Sequence, residues 1–341
     1  MPEIRRDPVS GRWTIVASTR NERPSDFASG EISESKKNCP FCPGNEDQTP
    51  PEIYSVKSSK EDAWKLRVVA NKYPALISSL NGDCLVSEGL YKKMEGIGVH
   101  EVIIETPDHF RQLHEMAEED IAEVFKCFSL RIREIKKDKK IKYIMIFKNY
   151  GRHAGASLAH PHSQLIAMPM VPLRVATELE GAETYFSQKS TCVFCDIIKE
   201  EIAFKKRIVQ ENDSFIAINP YASRFTFETW ILPKKHLSHL ENTEDKCFQE
   251  LAGILKATLQ KINHSLGETA YNILIHTMPV QEEESTFYHW HIEIMPKFSH
   301  MAGFEWGTGF YINTVSPEKA AEILNSGKKY NQKDKVEGEK I

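Results

Sequence analysis

His160-Pro-His-Ser-Gln-Leu-Ile-Ala167 is the stretch on which the reading of this chain turns. In extended geometry successive side chains point to opposite sides, so His160, His162 and Gln164 share one face of a strand. Pro161 has no N–H to give a ladder, which suits a sheet edge or the rim of a site. Upstream, Gly151, Gly155 and Ser157 form a small-residue loop whose N–H groups can approach an anion closely. Further out the chain repeats itself. Glu101 to His109 resembles Glu228 to His236, and His162 with Pro169 recurs as His289 with Pro296; both matches share the offset 236 − 109 = 289 − 162 = 127. Cys39-Pro-Phe-Cys42 answers to Cys192-Val-Phe-Cys195, and Val68 to Ala75 answers loosely to Phe215 to Ala222. A duplicated unit follows.

Each half carries one amphipathic helical stretch, 114–137 and 243–266. In the first, Met116, Ile121, Val124, Phe125, Phe128 and Ile132 recur at helical spacing. The rest of each half reads as short strands rich in Val, Ile, Phe and Tyr. The expected architecture is α+β: a duplicated unit over 1–172 and 173–326, each half an antiparallel half-barrel sheet, the two joined and flanked by helices. Residues 327–341 read as a charged, flexible tail.

Composition excludes several classes. The 341 residues are 40% hydrophobic and 27% charged with a formal net charge of −4, which suits a soluble globular protein and not a basic nucleic-acid scaffold. Apolar runs such as Val102 to Ile104 fall far short of the roughly 20 residues a membrane-spanning helix needs. The charged opening, Met1-Pro-Glu-Ile-Arg-Arg, is no secretory signal, so the expectation is a cytoplasmic protein without a disulfide framework.

A C-x-x-C pair alone reads as a redox pair, half a zinc site or two ordinary cysteines. Two such pairs, each followed by histidines in strand contexts, favour zinc, which takes four N or S ligands tetrahedrally. Cys39, Cys42, His109 and His160 make one closed set. Cys192, Cys195 and His236 make the second, with either His289 or His291 as fourth ligand; the reading leans to His289. A metal-bound His160 would fix the strand that presents His162. Neutral imidazole is a nucleophile near neutral pH, and a phosphoryl-imidazole passes its group onward. Gln164, Ser157, Arg20 and Arg23 are suitable donors to the oxygens of such a group. A zinc-stabilised nucleotide-binding or interaction protein without catalysis, and a metallohydrolase in which histidines two residues apart hold a catalytic zinc, are the competing classes.

His160-Pro-His-Ser-Gln164, with Asn149 and Ser157 ahead of it, resembles the active-site motif of galactose-1-phosphate uridylyltransferases, a branch of the histidine-triad superfamily. The resemblance runs from Arg12-Trp-Thr-Ile-Val and Arg23-Pro to Gly303-Phe-Glu-Trp-Gly-Thr-Gly309. It implies a homodimer working by ping-pong, with His162 as nucleophile on UDP-glucose and a hexose 1-phosphate as acceptor. It also implies that Gln164 binds the transferred phosphoryl group and that Ser157, Asn149, Arg20 and Arg23 lie at the phosphates. Asn71 falls at the nucleoside, and Glu305 at the sugar hydroxyls of the neighbouring subunit. Bacterial members carry a second metal site of one glutamate and three histidines, with Glu178, His276, His289 and His291 as rough counterparts. Cys192, Cys195 and Gly307 to Asn313 look more like the ADP-glucose phosphorylases, which use phosphate as acceptor.

Overall fold

The computed structural model of the chain describes residues 2–17, 36–58, 63–78, 85–298 and 301–330. In chain order its elements are β1 (Glu3–Arg6), β2 (Trp13–Val16), β3 (Glu52–Lys57), β4 (Trp64–Ala70), β5 (Val86–Glu88), β6 (Tyr91–Glu95), β7 (Val99–Ile104), α1 (Glu118–Ile135), β8 (Tyr143–Tyr150), β9 (His162–Met168), α2 (Leu173–Lys189), α3 (Val193–Phe204), β10 (Ile208–Glu211), β11 (Phe215–Ile218), β12 (Thr229–Pro233), α4 (Asp245–Leu266), β13 (Tyr271–His276), β14 (His291–Pro296), α5 (Gly303–Thr308) and α6 (Pro317–Ser326).

Ten strands form one antiparallel sheet in the order β10-β11-β12-β14-β13-β8-β9-β7-β4-β3. Counted outward from the central β8–β13 pair, the halves repeat one pattern: β8-β9-β7-β4-β3 on one side and β13-β14-β12-β11-β10 on the other. The two half-sheets therefore join edge to edge into a continuous layer, with Tyr271 opposite Tyr150 and Asn272 opposite Asn149. A separate sheet, β2-β1-β6-β5, is built from strands of the first half.

Helices α1 and α4 cover one face of the large sheet. Their apolar stripes, Ile121, Val124, Phe125 and Phe128 on α1 and Phe248, Leu251, Leu255 and Leu259 on α4, pack with Ile144, Ile146, Leu165, Ile273 and Ile275 of the sheet. Phe125 and Phe248 stack with centroids 6.4 Å apart. Burying each such side chain contributes about 1.5–3 kcal/mol, which is what fixes the helices here. Acids Glu118, Glu119 and Asp120 open α1, where the helix dipole favours negative charge. The first helical stretch begins later than its periodicity suggests, because Ala117 is still extended.

Four helices were not legible from periodicity; of these α5 is a six-residue turn that buries nothing. Helix α2 buries only Val175 and Ala182, too few to draw an apolar stripe. Helix α3 starts directly at the second cysteine pair, with Cys192 as its N-cap residue. Helix α6 begins Ser316-Pro317, with the Ser316 hydroxyl accepting from the Lys319 N–H.

The repeat also needs one correction. Topology aligns β9 with β14, and the last histidine of each metal-ligand set stands two residues before its strand: His160 corresponds to His289, so His162 corresponds to His291. That offset is 129, two residues beyond the 127 that matched His162 with His289. A slip of two leaves every side chain on the same face of a strand, so alternation in the sequence does not detect it.

Candidate functional site

Strand β9 alternates as foreseen: Ser163, Leu165 and Ala167 face the helices, and His162 and Gln164 face the opposite side. His162 stands opposite Ile104 on β7, and Gln164 stands between Val102 on β7 and Phe147 on β8. An open cleft of about 1350 Å³ lies beside the start of this strand, lined by His160, His162, Asn149, Tyr150, Arg152 and His153 among others; Gln164, Ser157 and Asn71 are not among its lining residues.

Four side chains anchor the start of the strand. Cys39, Cys42, His109 and His160 are all buried, with ligand atoms within 4.8 Å of one another. Cys42 Sγ lies 3.2 Å from His109 Nδ1 and 3.6 Å from His160 Nδ1, and Cys39 Sγ lies 3.7 Å from His160 Nδ1. Tetrahedral zinc with ordinary bond lengths separates a sulfur from a nitrogen by about 3.6 Å, so the set fits that ion. His160 Nε2 donates to the Thr106 carbonyl at 2.7 Å, which leaves Nδ1 as the lone-pair nitrogen facing the sulfurs. Burial pushes His160 down to about 4, keeping the ring neutral as a ligand must be. Burial and then Cys39 push the Cys42 thiol up to about 11, so its thiolate needs a cation beside it.

That anchor sets the nucleophile candidate. His162 Nδ1 donates to the His160 carbonyl at 2.8 Å, so in the neutral ring Nε2 carries the lone pair. The Phe41 ring meets His162 edge-on at 5.3 Å. Behind the strand, within the apolar layer, Lys148 Nζ donates to Glu105 Oε2 at 2.7 Å and to the His162 carbonyl at 3.3 Å. Ser163 Oγ donates to Glu105 Oε1 at 2.5 Å.

The loop before β9 turns through Gly151 and Gly155 at φ +77° and +84°, where L side chains are strained, and a Cβ on Gly151 would stand 2.8 Å from Ala270 Cβ. Ser157 lies half buried in this loop. Asn149 is steered from the second half: Asn272 Nδ2 donates to Asn149 Oδ1 and to the Ala154 carbonyl, both at 2.8 Å. Asn272 was missed by sequence reasoning, and only the β8–β13 register reveals it. Asn71 points at Gln164, its Nδ2 3.5 Å from Gln164 Oε1, with His100 beside both. Glu305 lies on short α5, where its carboxylate accepts from the Ala302 N–H, and it is not among the residues lining the cleft. Arg20 and Arg23 lie outside the described residues, as does the expected tail from 331 on; its first residues, 327–330, are instead tied to the body, the Tyr330 N–H donating to the Ser265 carbonyl at 2.7 Å and the Tyr330 ring meeting Phe227 at 5.1 Å.

The second cysteine pair gathers the expected partners. Cys192, Cys195, His236 and His289 form a set like the first, with Cys195 Sγ 3.3 Å from His236 Nδ1 and 3.8 Å from His289 Nδ1. His236 Nε2 donates to the Ser285 carbonyl and His289 Nε2 to the Pro233 carbonyl, each at 2.7 Å. The geometry selects His289, leaving His291 in a third cluster with Glu178 and His276. Burial opposes charge there, yet Glu178 and Glu293 carry His276 up to about 9. Burial likewise opposes ionisation of Glu178, and its bond to His276 overcomes that, holding the carboxyl down to about 2. Arg224 completes the network, donating to Glu293 at 2.6 Å.

A doubled antiparallel sheet, a metal-ligand set beside His162 and a wide cleft that this ring lines make a site suited to passing a phosphoryl group through an imidazole, the class of chemistry that nucleotidyltransferases perform. A profile described as "Galactose-1-phosphate uridyl transferase, N-terminal domain" matches residues 1–172, and one described as a domain of unknown function matches residues 99–338. The chain is 39% identical to the ADP-glucose phosphorylase of Arabidopsis thaliana, over 95% of this chain and 92% of that one. It is 32% identical to the galactose-1-phosphate uridylyltransferase of Thermotoga maritima, over 95% and 98%. Among solved structures, an ADP-glucose phosphorylase from Arabidopsis thaliana with bound ADP-glucose superposes with a TM-score of 0.75 at 37% identity, covering 95% of this chain and 98% of that one. A uridylyltransferase superposes with a TM-score of 0.79 at 28% identity, covering 95% and 98%. The chain belongs to the galactose-1-phosphate uridylyltransferase family and is an enzyme of that family.

Proposed function

We propose that the protein transfers a nucleoside monophosphate by ping-pong through His162, taking uridylyl from UDP-glucose and passing it to a hexose 1-phosphate such as galactose 1-phosphate. The observation that carries this is the combination of tautomer and cleft at His162: its Nδ1–H is committed to the His160 carbonyl, which leaves the lone pair on Nε2, and its ring lines the cleft. In the first step Nε2 attacks the α-phosphorus of the donor, a nitrogen–phosphorus bond forms, and the bond to the leaving sugar 1-phosphate breaks. In the second step a phosphate oxygen of the acceptor attacks the same phosphorus and regenerates the imidazole. Gln164, Ser157 and Asn149, with Arg20 and Arg23, supply donors to the non-bridging oxygens as charge shifts onto them. In this reading the two Cys₂His₂ sets hold structural zinc, one in each half; a bound ion fixes the ligand strands and takes no part in the chemistry.

We further propose a homodimer in which Glu305 reaches the neighbouring subunit's sugar site. Phe304, Trp306, Phe310 and Ile312 on the same segment are exposed, which supports a partner surface. A second reading, ADP-glucose as donor and inorganic phosphate as acceptor, is favoured by the 39% identity to the plant phosphorylase. Incubation with UDP-glucose or ADP-glucose, followed by intact-mass measurement, should leave one nucleotidyl group on the protein and none on His162→Gly. Chasing the adduct with galactose 1-phosphate or phosphate then separates the two readings. Folded, metal-loaded protein that forms no adduct with either donor would refute both.

A further inference from the structure

We propose that His100 is a positioning residue that holds the Gln164 amide with its nitrogen turned towards the transferred phosphoryl group. The proposal rests on the reading of Gln164 as a phosphoryl donor, and it adds what decides which end of that amide faces the substrate.

His100 lies on β7, on the same sheet face as Gln164: Val102 is opposite Gln164, and His100 is two residues along. It is buried, 5% exposed. The Ala75 N–H donates to His100 Nδ1 at 3.0 Å. A backbone N–H can only donate, so Nδ1 accepts and the neutral ring keeps its proton on Nε2. His100 Nε2 stands 3.0 Å from the outer atom of the Gln164 amide, and a donor there requires that atom to be the oxygen. Asn71 reaches the same conclusion independently. The Tyr73 N–H donates to Asn71 Oδ1 at 2.9 Å, which turns Nδ2 towards Gln164 Oε1. Two backbone amides of the Asn71–Ala75 loop thus orient two side-chain donors onto one oxygen. Asn71 Nδ2 and His100 Nε2, 3.1 Å apart, are neighbours because both converge there. Among the described residues nothing accepts from Gln164 Nε2, so both of its hydrogens remain for phosphoryl oxygens.

An amide free to rotate would present its oxygen to a phosphate half of the time, and that oxygen repels the charge that the nitrogen stabilises. Fixing the amide before the donor binds removes the reorganisation from the reaction step. It also gives the Asn71-Lys-Tyr-Pro-Ala75 segment a role at the phosphoryl group as well as at the nucleoside.

Long-range proton–nitrogen spectra of the full-length, metal-loaded protein should show His100 as the Nε2–H tautomer; an Nδ1–H ring would overturn the proposal. In single-turnover formation of the nucleotidyl adduct, His100→Leu, which keeps bulk and loses the donor, should slow the step by roughly 10- to 100-fold with the half-saturating donor concentration little changed. His100→Gln, whose amide nitrogen can stand near the position of Nε2, should regain at least about a third of the rate. In a Gln164→Ala background His100→Leu should change the rate by less than about twofold, because its target is gone. A loss equal in both backgrounds, or no loss in either, overturns the role of His100 while leaving the transferase reading intact. Failure of the unaltered protein to form any adduct overturns both.

Discussion

Removing the amine of Lys148 tests how the strand of the proposed nucleophile is held from behind. Lys148 and Glu105 are 3% and 0% exposed and 2.7 Å apart, in a layer otherwise formed by Ile121, Phe125, Ile146 and Leu255. Lys148→Met fits the space and strands the Glu105 carboxylate with one remaining donor, Ser163. Breaking one side of a buried pair costs about 3–5 kcal/mol, much of it the desolvated charge left behind. Unfolding entropy of about 2.1 cal/mol/K per residue over 341 residues gives about 0.7 kcal/mol/K, so the midpoint should fall by about 4–7 °C. Lys148→Met with Glu105→Leu replaces the pair by apolar volume and should recover all but about 1–2 kcal/mol, the residue being the lost bonds to Ser163 and to the His162 carbonyl. Thermal unfolding of the four proteins at constant metal loading closes the cycle. A double variant less stable than Lys148→Met alone, or a single variant losing under about 1 kcal/mol, refutes the claim that an uncompensated charge is what the lysine prevents.

Elemental analysis of purified protein should find two zinc ions per chain. Cys39→Ala should lose one of them together with transfer activity, whereas Cys195→Ala should lose the other and chiefly lower the melting temperature. The pH dependence has a defined sign: the folded chain holds His160 near 4, below the ordinary value of 6.5, so its contribution is present above 6.5 and lost as pH falls towards 4. In metal-stripped protein that loss amounts to about 3 kcal/mol, read from denaturant unfolding at a series of pH values; a flat profile across the window contradicts it. Asn272→Ala releases the Asn149 amide and should lower kcat/KM by about tenfold with little change in stability, measured by steady-state assay beside thermal unfolding. Gln164→Glu keeps length but sets a carboxylate oxygen against the phosphoryl group, and adduct formation should slow by about 10²–10³-fold; a rate within threefold of the unaltered protein would remove Gln164 from the site.

Much of this site was legible because its residues announce chemistry in one dimension. Two cysteine pairs with distant histidines limit the folds that bring them together, and period-two alternation around His160 and His162 puts a candidate ligand beside the candidate nucleophile. What stayed hidden depends on pairings that only the sheet supplies. Asn272 is an ordinary polar residue until β13 lies against β8 and sets it opposite Asn149. His100 reads as a lone histidine in an apolar strand, and its partner is a backbone N–H, which no side-chain pattern records. Lys148 looks like a solvated lysine until its alternation on β8 turns it into the helix layer. The choice between His289 and His291 was open for the same reason that the repeat was misaligned by two: residues two apart in a strand share a face, and only the position of His236 and the cysteines selects one.

The second half repeats the arrangement around His162 in different surroundings, which bears on the role proposed for that ring. His291 occupies the position of His162, and its Nδ1 donates to the His289 carbonyl at 3.1 Å as His162 does to His160 at 2.8 Å. Both strands follow a Cys₂His₂ set whose last histidine is steadied by a carbonyl at 2.7 Å. A pinned histidine of defined tautomer is therefore common to both halves and does not by itself distinguish them. The surroundings do. His291 is 1% exposed and packed among the rings of Phe194, Trp230 and His276, with centroids 5.2, 5.2 and 4.8 Å away. Where the first half has the Gln164 amide, the second has Glu293, whose carboxyl is held ionised by His276 and Arg224 against the cost of its burial. An approaching phosphate would meet a filled space and a fixed negative charge. On the proposed reading, what sets His162 apart is the cleft that its ring lines and the neutral Gln164 amide two residues on, because the ligand set and the tautomer are common to both halves.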